Sequence, residues 1–145
     1  MSDVLTIGQI NASGTATSKE TAIKEAADML VGVGAVTPAY HEAMLAREAT
    51  VSTYMGNLLA IPHGTNDAKD EIRSSALSFV RYAQPIDWDG NEVRFVVGIA
   101  GVNNEHLEIL SKIAIIFSEE DEVQKLLDAT SAEEVYSLLG DVNEA

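Results

Sequence analysis

A chain of 145 residues, 46% of them apolar, has the size and composition of one folded domain with a real core. Twenty-three acids against nine Lys and Arg leave a net charge of −14, which argues against a nucleic-acid binder, because phosphates demand basic partners. With no cysteine, disulfides, thiolate metal sites and cysteine nucleophiles are excluded, and no apolar run approaches the ~18 residues of a membrane span.

The N-terminus, Met1-Ser2-Asp3-Val4, is acidic and lacks the charged-then-apolar pattern of a signal segment, so a cytoplasmic location is expected. We find no repeat, low-complexity stretch or linker, and residues 1–145 read as a single domain. Charge is uneven. Eleven acids fall in residues 104–145 against Lys112 and Lys125, whereas the middle of the chain carries Arg47, Lys69, Arg73, Arg81 and Arg94. An anion is better tolerated near that middle.

In chain order, Val4 to Ile10 alternates loosely, as a short first strand or a lead-in to one. Thr17-Ser18-Lys19-Glu20 predicts a capping box with Thr17 as cap and Glu20 reaching back. Ala22, Ile23, Ala26, Ala27, Leu30 and Val31 then share one helical face, and Gly32 and Gly34 end the helix. Thr37-Pro38 predicts the next start, with proline at the first helical position. Tyr40, Ala43 and Met44 line its apolar side. His41 reads as surface, and Arg47 near the C-terminal end complements the macrodipole. Leu58 to Ile61 reads as a buried strand, Asn66 to Arg73 as a polar stretch with a helical turn, and Ala76 to Tyr82 as an alternating strand with Leu77, Phe79 and Arg81 on one face. Gln84 to Glu92 reads as a turn-rich loop. Val93 to Ala100 is the most strand-like run and is expected at the sheet centre. Beyond it, Asn103 or Asn104 caps a helix to about Phe117, Ser118 starts another, and Thr130-Ser131 starts a last one ending at Gly140. Strands alternating with helices predict an α/β fold with helices on both faces of a sheet.

The chemistry concentrates in Ala60-Ile61-Pro62-His63-Gly64-Thr65. Proline stops the apolar run and pushes Ile61 towards extended geometry. Gly64 permits φ > 0 and close approach to the backbone, and Thr65 adds a hydroxyl donor. One imidazole thus stands at the end of a rigid element beside a donor-rich turn. A second histidine, His106, opens the helical series Ile109, Leu110, Ile113, Ala114 and Phe117. It reads equally as a hydrogen-bonded residue at the core edge or as part of an anion site at a helix start.

Arg47-Glu48, Thr53-Tyr54-Met55-Gly56-Asn57, Ala60-Ile61-Pro62-His63-Gly64-Thr65, Val97-Gly98-Ile99-Ala100 and Asn103-Asn104-Glu105-His106-Leu107 together resemble the enzyme IIA component of the mannitol-type phosphoenolpyruvate-dependent sugar phosphotransferase system. The resemblance runs over nearly the whole chain. It implies a mixed, mostly parallel sheet flanked by helices, and a phosphorylated histidine at His63 with His106 and Arg47 around the phosphoryl group. The donor it implies is the histidine phosphocarrier protein, and the acceptor is a cysteine of enzyme IIB, with enzyme IIC reached through the complex. Neither an enzyme IIB nor an enzyme IIC domain is present in this sequence, so those partners are expected in trans unless the domain has been excised from a longer protein.

The residues suit that reaction. A neutral imidazole attacks phosphorus without a separate base. Transition-state charge spreads over three oxygens, to which Arg47 offers a planar fork, and His106, Thr65 and the backbone around Gly64 offer neutral donors. No metal or other cofactor is needed. Three rival readings are a metal hydrolase using His63 and His106, which lacks a defined third ligand; a regulatory phosphohistidine protein of the nitrogen-regulatory class, acting by protein binding; and a purely structural acidic interaction domain.

Overall fold

The structure is a computed structural model that describes residues 4–102 and 105–139, with the side chains of Asn66, Asp67 and His106 outside that description. Among the described residues it is an α/β fold built on a five-stranded mixed sheet. The strands are β1 (Ile10–Asn11), β2 (Tyr54–Gly56), β3 (Leu59–Ala60), β4 (Ala76–Trp88) and β5 (Asn91–Ala100). Their order is β1-β4-β5-β3-β2, which puts β5 in the middle as its apolar run predicts. β1–β4 and β3–β5 pair in parallel, β2–β3 and β4–β5 antiparallel.

Among the described residues five helices flank the sheet: α1 (Lys19–Gly32), α2 (Tyr40–Thr50), α3 (Glu105–Phe117), α4 (Glu120–Asp128) and α5 (Ala132–Leu138). Period-two alternation along β5 divides the core. Phe95, Val97 and Ile99 face one side, where they pack with Leu77 and Phe79 of β4 and with the apolar stripes of α3, α4 and α5. Val96 and Ala100 face the other, against α1 and α2. Phe95 contacts Phe79 and Phe117 with ring centroids 5.6 and 5.3 Å apart, so α3 is seated directly over the central strand. Among the described residues no helix is long and apolar enough to cross a membrane.

Several boundaries differ from expectation, each for a local reason. Residues Ile7–Gln9 form a 3-10 turn, leaving only Ile10–Asn11 as strand. The cap of α1 is Ser18 rather than Thr17, and its reciprocal partner is Thr21, whose hydroxyl accepts from the Ser18 N–H as Glu20 was expected to do. α2 begins at Tyr40. Thr37 does not cap it, because both its N–H and its hydroxyl are bound to Glu71. Ser118 donates to the Ile115 carbonyl at the end of α3, so Glu119 takes the cap position of α4. Asn103, Asn104 and Gly140, expected at helix ends, lie outside the described residues.

The largest correction concerns Gln84 to Glu92. β4 runs through Pro85 to Trp88, and Asp89-Gly90 alone form the turn into β5. Pro85 is tolerated because the pairing register shifts between Arg81 and Ile86, an irregularity where a missing N–H costs no ladder bond. Ile86 and Trp88 are buried while Asp87 is exposed, so strand alternation persists through the stretch. Both turn residues have positive φ, 55° and 93°, which matches the two-residue turn that Asp-Gly favours.

Candidate functional site

β2 and β3 form a hairpin whose two-residue turn, Asn57-Leu58, has φ of 49° and 70°. The hairpin was not apparent in the sequence, because leucine is an uncommon choice for a left-handed position. Asn57 Nδ2 donates to the Phe117 carbonyl at 2.6 Å, tying the hairpin to the end of α3. β3 is only two residues long, yet its parallel register against β5 continues beyond it. Leu59 pairs with Phe95, Ala60 with Val96, and His63 with Ile99. The Ile99 N–H donates to the Pro62 carbonyl at 3.0 Å. His63 therefore stands at the carboxyl end of a buried strand, beside the carboxyl end of the central one, where open α/β sheets gather ligands.

His63 is half-buried, and its Nδ1 lies 2.8 Å from the Ile61 carbonyl oxygen. A carbonyl only accepts, so Nδ1 carries the proton. With the proton on Nδ1, Nε2 is the nitrogen that has the lone pair in the neutral form of the ring. The ring opens on a groove of about 310 Å³ lined by Arg47 of α2, Ser52, Thr53, Tyr54 and Met55 leading into and along β2, and Leu110, Ser111 and Ala114 of α3. Arg47 is the one cationic side chain among these lining residues. Its Nη1 donates to the Val51 carbonyl at 2.6 Å, which fastens one edge of the guanidinium.

Other candidates are placed differently. Thr65 opens the 3-10 segment Asn66–Glu71 and does not line the groove. Gly64 does not use a left-handed φ. Close approach is what it permits: a Cβ there would lie 2.5 Å from Tyr40 Cε1. Its N–H, expected to serve an anion, donates to the Tyr40 hydroxyl at 2.8 Å. His106 lies in the first turn of α3, on the helix that supplies Leu110, Ser111 and Ala114, and its side chain is outside the described residues. His41 is half-buried, not a surface residue, and its Nε2 is shielded from solvent without a hydrogen-bond partner. Among the described residues no three His, Cys, Asp or Glu side chains gather as a metal site would require.

Two supporting residues went unrecognised in the sequence. Glu48 is 6% exposed, and its carboxylate accepts from the Thr53 N–H and hydroxyl and from Trp88 Nε1. It thereby fixes the segment that forms one groove wall. A charge in phase with Tyr40 and Met44 on the buried face of α2 was the available signal. Tyr40, taken as merely apolar, is the other. We expect Gly64→Ala to lower stability by about 1–3 kcal/mol, the usual range for overpacking a filled site. Urea denaturation measures it, and an unchanged midpoint would show that the Tyr40 ring yields without cost.

Comparison with known proteins identifies the family. The model described as "Phosphoenolpyruvate-dependent sugar phosphotransferase system, EIIA 2" matches residues 3–142. The chain belongs to this enzyme IIA family. It is a phosphotransferase component of that system. It is 52% identical over 141 residues to the mannitol-specific phosphotransferase enzyme IIA component of Halalkalibacterium halodurans, covering 97% of each chain. It is 49% identical over 135 residues to the protein of that description in Staphylococcus aureus, covering 93% of this chain and 94% of the other. Among solved structures, the complex of enzyme IIAMTL with phosphorylated enzyme IIBMTL from Escherichia coli superposes with a TM-score of 0.88 at 35% identity, over 94% of this chain and 96% of that one. Nitrogen regulatory protein IIA-Ntr from Neisseria meningitidis gives 0.77 at 29% identity, over 94% and 96%.

Proposed function

We propose that this enzyme IIA serves mannitol uptake, taking a phosphoryl group onto His63 from the phosphohistidine of the histidine phosphocarrier protein and passing it to a cysteine of enzyme IIB. Residues 1–145 act as one cytoplasmic domain that meets enzyme IIC only through the assembled complex. The observation that carries this reading is the Nδ1 contact with Ile61, which favours Nε2 as the attacking nitrogen of a residue that lines the same groove as Arg47. The names of the relatives and the enzyme IIB in the Escherichia coli complex support the sugar and the acceptor.

In the first step the P–N bond of the donor breaks as a P–N bond to Nε2 forms. The His63 proton remains on Nδ1, held by the Ile61 carbonyl. In the second, a thiolate of enzyme IIB attacks phosphorus and His63 leaves as the neutral ring. Both steps are loose displacements, in which the protein mainly positions groups and stabilises oxygens. Arg47 supplies the cationic donor.

His106 is assigned as a hydrogen-bond donor to a phosphoryl oxygen, because it stands in the first turn of α3, the helix that supplies Leu110, Ser111 and Ala114 to the groove. We expect His106→Gln to accept one phosphoryl group, on His63, since glutamine keeps an N–H donor. His106→Ala should also be phosphorylated but should pass the group on more slowly. Rapid-quench time courses with phosphorylated carrier and then enzyme IIB, with site mapping, measure both. Failure of His106→Gln to be phosphorylated, or phosphate on His106 in the wild type, reverses the assignment.

The alternative is a regulatory phosphohistidine protein, favoured by the structural match to the nitrogen regulatory protein. Incubation of the phosphorylated chain with a mannitol enzyme IIB separates the two. Rapid transfer to its cysteine supports the sugar pathway, and stable phosphohistidine in its presence supports regulation.

A further inference from the structure

The hydroxyl of Tyr40 occupies the position of a missing rung in the sheet. In a parallel ladder, a residue opposite Ile99 is flanked by two bonds, one from the Ile99 N–H to the preceding carbonyl and one from the following N–H to the Ile99 carbonyl. At His63 the first exists, to Pro62 at 3.0 Å. The second is interrupted. The Gly64 N–H donates to Tyr40 Oη at 2.8 Å, and Tyr40 Oη donates to the Ile99 carbonyl at 2.9 Å. We infer that Tyr40 is a positioning residue for phosphoryl transfer: its phenol replaces the rung after His63, ends the pairing there, and aims the imidazole into the groove. The inference rests on His63 being the phosphoryl acceptor.

Three observations support it independently. Tyr40 is 2% exposed, so its hydroxyl has no solvent to satisfy it and must find partners in the protein. Its ring fills the space against Gly64 that any larger residue would occupy, which prevents the chain from closing onto Ile99 directly. Burial pushes the phenol pKa up, outweighing the opposing pull of the Gly64 N–H, so the group stays protonated and keeps both its donor and acceptor roles. Beyond this rung the chain leaves the sheet for the 3-10 segment Asn66–Glu71. Removing the hydroxyl leaves the Gly64 N–H and the Ile99 carbonyl facing each other across a phenyl edge. The turn must then re-close as strand or loosen. Either shift changes the 2.8 Å contact between His63 Nδ1 and the Ile61 carbonyl.

The test is Tyr40→Phe in the full chain. We expect single-turnover acceptance from phosphorylated carrier to slow about tenfold at saturating donor, with the concentration dependence on donor unchanged. Nitrogen-15 spectra of the unphosphorylated variant should show the His63 ring moving away from the pure Nδ1–H tautomer, and Gly64 amide exchange should accelerate. A folded variant with wild-type rate and wild-type ring signals overturns the inference. If the variant does not fold, the wild-type Gly64 amide decides, because exchange at the rate of an open loop is incompatible with the Tyr40 bond. Phosphate mapped in the wild type to a residue other than His63 would remove the underlying reading instead. The ring and amide measurements, made without phosphate, still judge Tyr40.

Discussion

His63→Ala is expected to keep the fold and lose phosphorylation entirely. The side chain is half-buried at the mouth of a groove rather than in the core, so truncation opens no large cavity. Its backbone partners also remain, since Ile99 donates to the Pro62 carbonyl and Tyr40 accepts from the Gly64 N–H whatever stands at position 63. What disappears is Nε2, the proposed nucleophile. Intact-mass spectrometry after incubation with phosphoenolpyruvate and the two general carrier proteins should show one added phosphoryl group in the wild type and none in the variant. Undiminished phosphorylation of the variant would move the acceptor elsewhere.

The part of this site that was legible in the sequence is the part built from neighbours in the chain. Proline, histidine and glycine at positions 62 to 64 define a strand end, a nucleophilic type of ring and a close approach, and each property belongs to a residue type. The apolar period of Val93 to Ala100 and the helical stripes of α1 and α3 are local in the same sense, and the sheet centre and both helix layers follow from them. What stayed hidden depends on distant partners. Tyr40 and Gly64 are 24 residues apart, and Glu48 and Trp88 are 40 apart. Nothing in the sequence around either residue announces the bond.

The second half of β4 was obscured for a different reason. Pro85, Asp89 and Gly90 are turn residues by propensity, and together they outweigh the alternation of Ile86 and Trp88. The bulge between Arg81 and Ile86 removes the objection to proline, and the pairing with β5 supplies the strand. Tertiary contacts overrode local preference there. At the capping box of α1, by contrast, local chemistry was read correctly in kind and misplaced by one residue, because Thr17 and Ser18 both have capping hydroxyls and Thr21 serves as well as a glutamate in the reciprocal role.

Arg47→Ala is expected to slow phosphoryl transfer in both directions while leaving the protein folded. The guanidinium has five N–H donors in a planar fork, and the contact with the Val51 carbonyl engages Nη1. That contact ties the group to the end of α2, where the macrodipole favours a cation, and Arg47 lines the groove. Losing a charge-assisted hydrogen bond costs on the order of 1.5–3 kcal/mol, or roughly 10- to 150-fold in rate if the bond acts only in the transition state. The Val51 contact is solvent-exposed, so its loss should lower stability by no more than about 1 kcal/mol. A purely structural arginine gives the opposite pattern, with a lowered denaturation midpoint and wild-type transfer rates. Quench-flow in the forward direction from phosphorylated carrier, and in reverse from phosphorylated enzyme IIB, measures the rates, and urea denaturation measures the stability. EDTA belongs in the same series. Transfer that rests on Arg47 and neutral donors is indifferent to a chelator, whereas a metal held by His63 and His106 would make wild-type transfer collapse on its addition.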